Sequence, residues 1–146
     1  MKCDPTAVNR VTLTSNGIYH PLETIFAHTN KLYFANSIDA SIAYGNKITQ
    51  SSSKKHSIRL GAYDPSERHI TIHRALDQAF VPRICVERIV YHEMLHQKHP
   101  VKLSYGRRII HSKDFKRDEA LFENAQLADK LIEQILHRLL SYRSIF

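Results

Sequence analysis

Residues 92–96 read H-E-M-L-H and carry the side chains that metal-assisted hydrolysis needs. On an α-helix, side chains four positions apart lie one turn above each other, so His92 and His96 can both direct an imidazole nitrogen at one zinc ion about 2.1 Å away. Glu93 is turned off that line and can accept a proton from the attacking water instead of binding the ion. The spacing predicts two metal ligands, His92 and His96, and one catalytic base, Glu93.

A catalytic zinc site needs a third protein ligand and keeps its fourth position for water. His99 lies on the same helix, but three ligands in line along one helix cannot surround an ion tetrahedrally. His111 is favoured, because residues 97–110 are long enough to reverse the chain and bring it back at the start of the next helix. If the third ligand is a carboxylate, Glu119 or Glu123 is the choice.

Three helical regions must position these side chains. The first spans residues 21–34, with a proline at its start and apolar residues at helical spacing. The second begins at residues 81–83 and ends near His99, because Pro100 disfavours helix at the residue before it. H-E-M-L-H therefore lies on this helix, with Tyr91 and Cys85 as core residues. Helical spacing resumes at Asp114 and reaches the C-terminus, with a break expected near residues 127–129.

Short strands fill the rest of the chain. Strands are predicted at residues 11–14, 42–45, 58–63 and 69–73, and residues 104–108 are expected to form a loop. Turn residues at 64–67 separate the last two strands. The pattern predicts an α+β fold, in which a small antiparallel sheet of about three strands packs against an N-terminal helix, the H-E-M-L-H helix and a C-terminal helix or helix pair.

Composition sets the class of protein. The chain has 146 residues, ordinary hydrophobic content and no apolar run long enough for a membrane span. The N-terminus lacks the apolar segment of a secretory signal, so we expect a protein of the cytoplasm or nucleus. We also expect it to be a monomer and to have no membrane partner. Its cysteines, Cys3 and Cys85, form no C-x-x-C pair. Any metal ligands are therefore not thiolates.

The formal net charge is +7, and the excess is concentrated in residues 98–117. Only Asp114 opposes the cations in this stretch, which are Lys98, Lys102, Arg107, Arg108, Lys113, Lys116 and Arg117. Such a stretch can bind DNA or RNA, or it can be a solvated basic surface. No nucleic-acid-binding motif accompanies it, so charge alone does not separate the two.

Several segments together resemble the SprT-like metallopeptidase domain. H-E-M-L-H is followed by H-S-K-D-F, in which a histidine opens the next helix and a phenylalanine follows four positions later. Upstream, P-L-E-T-I-F-A-H-T-N-K-L-Y-F is similar to the first helix of that family, and R-H-I-T-I-H-R-A-L to its strand before the active-site helix. The resemblance lies within residues 18–115 of a single domain, 1–146, with 1–17 as a leader and 116–146 as a C-terminal helical segment.

The resemblance implies a zincin-like fold, zinc bound by His92, His96 and His111, and Glu93 as catalytic base. It implies a zinc-dependent endopeptidase that acts on proteins or peptides. Members of the family include the Spartan proteases, which degrade proteins crosslinked to DNA, so a substrate associated with nucleic acid is also implied. The zinc ribbon of the fuller family members is not expected here, because the sequence has no pair of closely spaced cysteines.

Two other functions stay open. In the first, the metal only stabilises the fold and the basic surface binds nucleic acid; Glu93 argues against it, since a structural site needs no base. The second is a metal-dependent nuclease. The histidine pattern H-x-x-x-H-x-x-x-x-x-H of one class of endoribonucleases is not present, because Lys102 holds the position of its last histidine. For a peptidase, Tyr105, Arg107 and Arg108 are candidate oxyanion donors.

The other histidines are expected to have no part in the site. His69 and His73 share one strand face and are expected to be half exposed. His20, His28, His56 and His137 are expected at the surface. Phe115 is expected to pack behind the metal site.

Overall fold

The described residues, 16–45 and 58–143 of a computed structural model, form four α-helices, five strands and one 3-10 turn. In chain order these are α1 (Leu22–Phe34), β1 (Ser41–Tyr44), β2 (Gly61–Asp64), β3 (His69–Ile72), the 3-10 turn (Arg74–Leu76), α2 (Arg83–Lys98), β4 (Lys102–Ser104), β5 (Arg107–Ile109), α3 (Lys113–Ala120) and α4 (Ala125–Arg143). The predicted α+β class is therefore confirmed. The strand predicted at residues 11–14 lies outside the described residues.

The main sheet has the strand order β1-β3-β2. Strand β2 pairs antiparallel with β3, whereas β1 pairs parallel with β3, with Ser41 opposite His69. The prediction of an all-antiparallel sheet was wrong. The long connection between β1 and β2 allows β1 to lie beside β3, the strand whose Ile70 and Ile72 are fully buried. A meander needs short connections between neighbouring strands, and this sequence has only one, between β2 and β3.

Helix α2 lies at the centre of the fold. It packs against α1, α3, α4 and the β2-β3 side of the sheet. Its residues Cys85, Val86, Val90, Met94 and Leu95 are completely buried. Pro82 precedes its first residue, and its last residue, Lys98, precedes His99 and Pro100, as predicted. The side chains at positions 92 and 96 are therefore mounted on the most constrained helix of the molecule.

Two predictions after α2 were wrong. The predicted loop at residues 104–108 is the turn of a hairpin, β4-β5, in which Lys102 pairs with Ile109. Its turn residues Tyr105 and Gly106 both have positive φ, at 51° and 75°, as a two-residue hairpin turn requires. The break in the C-terminal helical region lies between α3 and α4 at residues 121–124, ahead of the predicted position.

None of the helices in the described parts of the chain is both long and apolar enough to cross a lipid bilayer.

Candidate metal centre

The structure brings three histidines together at one end of α2. One side-chain nitrogen from each of His92, His96 and His111 lies within 4.8 Å of the other two. The centroids of the three rings are 5.0 to 5.2 Å apart. Nitrogen ligands around a tetrahedral zinc ion lie about 3.4 Å apart, so modest ring rotations bring all three within bonding distance of one ion. The histidine triad is therefore a group that can hold a metal ion.

The chain delivers His111 through the β4-β5 hairpin and the start of α3. The hairpin reverses direction after α2, and Ser112 caps α3 by accepting a hydrogen bond from the backbone N–H of Phe115 at 3.2 Å. This cap fixes the residue immediately before it, His111, at the helix entrance. The sequence H-S-K-D-F thus combines a candidate ligand, a helix cap and an apolar anchor in one turn.

Phe115 is the anchor of the triad. It is completely buried, as expected, and its ring centroid lies 5.1 Å from that of His92 and 4.8 Å from those of His96 and His111. One aromatic ring therefore contacts all three imidazoles from the protein side. Close packing of this kind restricts the rotamers of the histidines and leaves their other side open to the solvent.

Glu119 holds His92 in position. Its Oε1 lies 2.9 Å from Nδ1 of His92, so Nδ1–H donates to the carboxylate and Nε2 is free to face the metal site. Glu119 is in turn held by the buried Arg88, which donates to its backbone carbonyl and lies 3.8 Å from its side chain. Glu119 is not one of the three clustered donors. It therefore positions the candidate ligand His92 and is not itself placed as a ligand.

Asp118, the residue before Glu119, ties α3 to the end of α2. Its Oδ2 accepts hydrogen bonds from Nζ of Lys98 at 2.8 Å and from Nε2 of His99 at 2.7 Å. Its backbone carbonyl accepts a hydrogen bond from the hydroxyl group of the buried Tyr91, a residue expected in the core. His99 is therefore occupied by a structural contact and lies outside the triad, in line with the argument against it as a ligand.

Glu93 is buried next to the triad, with a relative exposure of 6%. Burial raises the pKa of its carboxyl group, opposed by the nearby charges of His92 and Arg59. The space for this side chain exists because residue 61 of β2 is glycine: a Cβ atom there would lie 2.9 Å from Oε1 of Glu93. A carboxylate whose pKa is raised accepts a proton more readily near neutral pH.

The protonation states of the histidines suit metal binding. Burial lowers the pKa of His96 to about 4, and the neighbouring His92 and His111 contribute to the shift. Burial and His92 also lower the pKa of His111. Both imidazoles are therefore neutral at pH 7, the form that binds a metal. Three imidazoles next to a carboxylate base are a donor set that fits zinc better than the oxygen-seeking ions Mg²⁺ and Ca²⁺.

The triad lies at the floor of an open cleft of about 1090 Å³. One wall is β2, through Gly61 and Tyr63, and the other is the hairpin and its flanks, through Val101, Arg108 and Ile110. Gln97 links α2 to β2 and to the segment before β1, since its amide exchanges hydrogen bonds with the backbone of Asp39 and donates to the hydroxyl of Tyr63. A smaller recess on the other side of His92 and Glu93 is lined by apolar residues, Ile58, Leu60, Ile89 and Ile132, and by Arg88, Glu119 and Asp129.

The candidate oxyanion donors differ in position. Arg108 lines the cleft. Tyr105 lies at the hairpin tip with its side chain fully exposed, and Arg107 is exposed on β5 outside the cleft lining. Of the three candidates, only Arg108 is therefore placed on the cleft wall.

The remaining histidines and Glu123 lie outside the triad. His69 pairs with the hydroxyl of Ser41 at 2.7 Å, and His73 caps the 3-10 turn by accepting from the backbone of Ala75. Glu123 is exposed, and its backbone N–H donates to Tyr33. The expectation that His20 is a surface residue was wrong.

His20 is 7% exposed because the residues before α1 fold over Asp77. The Asp77 carboxylate accepts hydrogen bonds from the backbone of Ile18, Tyr19 and His20. His28 and His137 are exposed as expected, and His56 lies outside the described residues.

No protein-family model matches this chain, and no curated protein sequence matches it significantly.

Proposed function

We propose that this protein is a zinc-dependent metalloendopeptidase of the SprT-like type, with a zincin-like arrangement of sheet and helices. The observation that carries the proposal is the convergence of His92, His96 and His111 within 4.8 Å, beside a buried carboxylate with a raised pKa. A structural metal site has no use for that carboxylate, whereas hydrolysis requires a base at this position.

The residues of the chain divide the work. His92, His96 and His111 hold the ion, and a zinc ion bound there supplies Lewis acidity, which polarises the scissile carbonyl and lowers the pKa of a water molecule. Glu93 accepts the proton of the attacking water and passes it to the leaving amine. Glu119 fixes the ring of His92, and Arg88 fixes Glu119.

The strand beside the site favours a peptide substrate. Among the described strands, β2 pairs only with β3, and at its outer edge the carbonyl of Gly61 accepts a hydrogen bond from Nε of Arg59 at 3.2 Å. Gly61 and Tyr63 of this strand line the cleft next to Glu93. An extended peptide can add to such an edge through main-chain hydrogen bonds and place a scissile bond near the triad. The recesses on both sides of His92 leave room for residues on either side of that bond.

A second candidate is a metal-stabilised module that binds nucleic acid without catalysis. The observation in its favour is the hairpin, where Lys102, Arg107 and Arg108 are exposed and form no ion pair within residues 16–45 and 58–139. This candidate predicts salt-sensitive binding of DNA or RNA and no turnover.

The substitution Glu93→Gln tests the peptidase proposal. It keeps the shape of the side chain and removes the base, so we expect the variant to bind as much zinc as the wild type and to lose casein cleavage by at least about a hundredfold. Zinc content is measured by elemental analysis, and proteolysis by release of labelled peptides. Equal proteolysis by the two zinc-loaded proteins would rule out Glu93 as the base. Zinc-dependent nucleic-acid binding by an inactive wild type would favour the second candidate.

A further inference from the structure

The cleft lining contains more basic than acidic residues, and only some of these charges are free to bind a ligand. Its acidic residues are Asp39 and Glu93, and its arginines are Arg59, Arg68 and Arg108. Asp39 pairs with Arg68 at 3.2 Å, and Glu93 is buried at the floor beside the triad. Two exposed guanidinium groups, Arg59 and Arg108, therefore remain without a carboxylate partner among the residues that the structure describes.

The two arginines approach from opposite walls. Arg59 immediately precedes β2, and its Nε donates to the backbone carbonyl of Gly61 at 3.2 Å, which anchors the side chain beside Glu93. Arg108 lies on β5, the strand of the hairpin that leads to His111.

We propose that this cleft selects acidic polypeptide segments, with Arg59 and Arg108 as the side chains that bind substrate carboxylates. The inference rests on the proposed peptidase function and names its substrate class. A guanidinium group binds a carboxylate through two parallel hydrogen bonds, so a single arginine on each wall can position a glutamate or aspartate on either side of an extended peptide.

Other features of the cleft favour a polypeptide over a nucleic acid. The cleft lining also contains apolar residues that can pack against the side chains of a polypeptide, namely Pro65, Pro100, Val101 and Ile110. The edge of β2 that faces no other described strand can bond the amide groups of a peptide backbone, which a phosphate backbone lacks. Lys113 and Lys116 could contact the phosphates of a nucleic acid, but they lie on α3 and do not line the cleft.

The test measures binding in a chain that does not turn over its ligand. Zinc-loaded Glu93→Gln protein is titrated against fluorescein-labelled peptides that are identical except that the glutamates of one are lysines in the other. We expect the glutamate peptide to bind about tenfold more tightly at low salt, with about threefold from each arginine. Adding Arg59→Gln or Arg108→Gln is expected to reduce the preference by about threefold, and adding both to abolish it. The matched control Lys31→Gln removes an exposed cation from α1, away from the cleft, and is expected to leave both affinities unchanged.

Equal affinities for the two peptides, or a preference that survives both arginine substitutions in protein with full zinc content, would overturn the proposal. A single-stranded oligonucleotide that binds more tightly than the glutamate peptide, and is weakened by the same two substitutions, would overturn it in favour of nucleic acid. Cleavage is assayed separately with wild-type protein. A wild type that binds acidic peptides but never cleaves them contradicts the peptidase proposal and leaves the binding result standing.

Discussion

Charged side chains are paired on one side of the histidine triad and lack carboxylate partners on the other. On the protein side, between α2, α3 and α4, the charged side chains are paired: Arg88 with Asp129 at 3.0 Å, Glu119 with His92, and Asp118 with Lys98 and His99. On the cleft side, Arg59 and Arg108 are exposed and have no carboxylate partner within the described ranges.

This difference separates the charges that hold the site in one geometry from the charges that can bind a ligand. A buried charge must be paired, since leaving it alone in the interior costs several kcal/mol, so paired charges hold a site in one geometry. An exposed and unpaired charge contributes little to stability and remains available to a ligand. We therefore expect substitutions on the protein side to change stability and metal affinity, and substitutions on the cleft side to change binding of the substrate.

The largest effect on stability is expected at Arg88. Its side chain is 7% exposed, it bonds Asp129 and Glu119, and its guanidinium lies 5.4 Å from the ring centroid of Phe122. Arg88→Met keeps the apolar stem but removes the partner of the Asp129 carboxylate and of the Glu119 backbone carbonyl, so we expect a loss of about 2–3 kcal/mol, less than for a fully buried pair because the Asp129 side chain is exposed. Urea denaturation of the zinc-loaded protein measures it.

The matched control for Arg88 is Arg107→Met in the hairpin, where the side chain is exposed. It is expected to change stability by less than about 0.5 kcal/mol. If both variants unfold at the urea concentration of the wild type, the paired network does not hold the helices together.

A smaller effect is expected at Glu119. Glu119→Gln keeps the size of the side chain but weakens its bond to Nδ1 of His92, so we expect zinc affinity to fall about tenfold. Competition with a chelator gives the affinity. Glu123→Gln is the matched control, because that side chain is exposed and belongs to no described donor group. A larger loss from the control than from Glu119→Gln would contradict the assignment.

The stability of the zinc-free protein is expected to depend on pH through His96. Its pKa is about 4 in the folded chain and 6.5 ordinarily, so between these values the unfolded chain holds a proton there that the folded chain lacks. The contribution of His96 is therefore present above about pH 6.5 and is lost as the pH falls toward 4. We expect the urea midpoint to fall less steeply across this range for His96→Gln than for the wild type. Parallel declines would contradict a depressed pKa at His96.

Local signals predicted the helices and the cluster. Proline residues and apolar spacing placed α1 and α2 within one or two residues of their observed ends, because such signals act over one helical turn. The length of residues 97–110 favoured His111 as the third donor of the group, and Phe115 was expected to be buried behind it. The burial of Cys85 followed from the apolar face of α2.

Long-range arrangement was not predictable in the same way. The parallel pairing of β1 with β3 depends on which strand is most buried, a property of the whole core. The hairpin β4-β5 was missed because a tyrosine holds a left-handed turn position that usually carries asparagine or glycine. Glu119 was named as an alternative third ligand, but only the packing of α3 on α2 shows that it bonds His92 instead.

Zinc binding by the wild type and by His111→Ala tests the central claim most directly, because His111 is the one member of the triad that α2 does not supply. We predict that the wild type binds one zinc ion per chain, that His111→Ala weakens binding by more than about a hundredfold, and that the exposed control His28→Ala binds as the wild type does. A wild type that binds no zinc, or a His111→Ala variant that binds zinc as tightly as the wild type, would contradict the account.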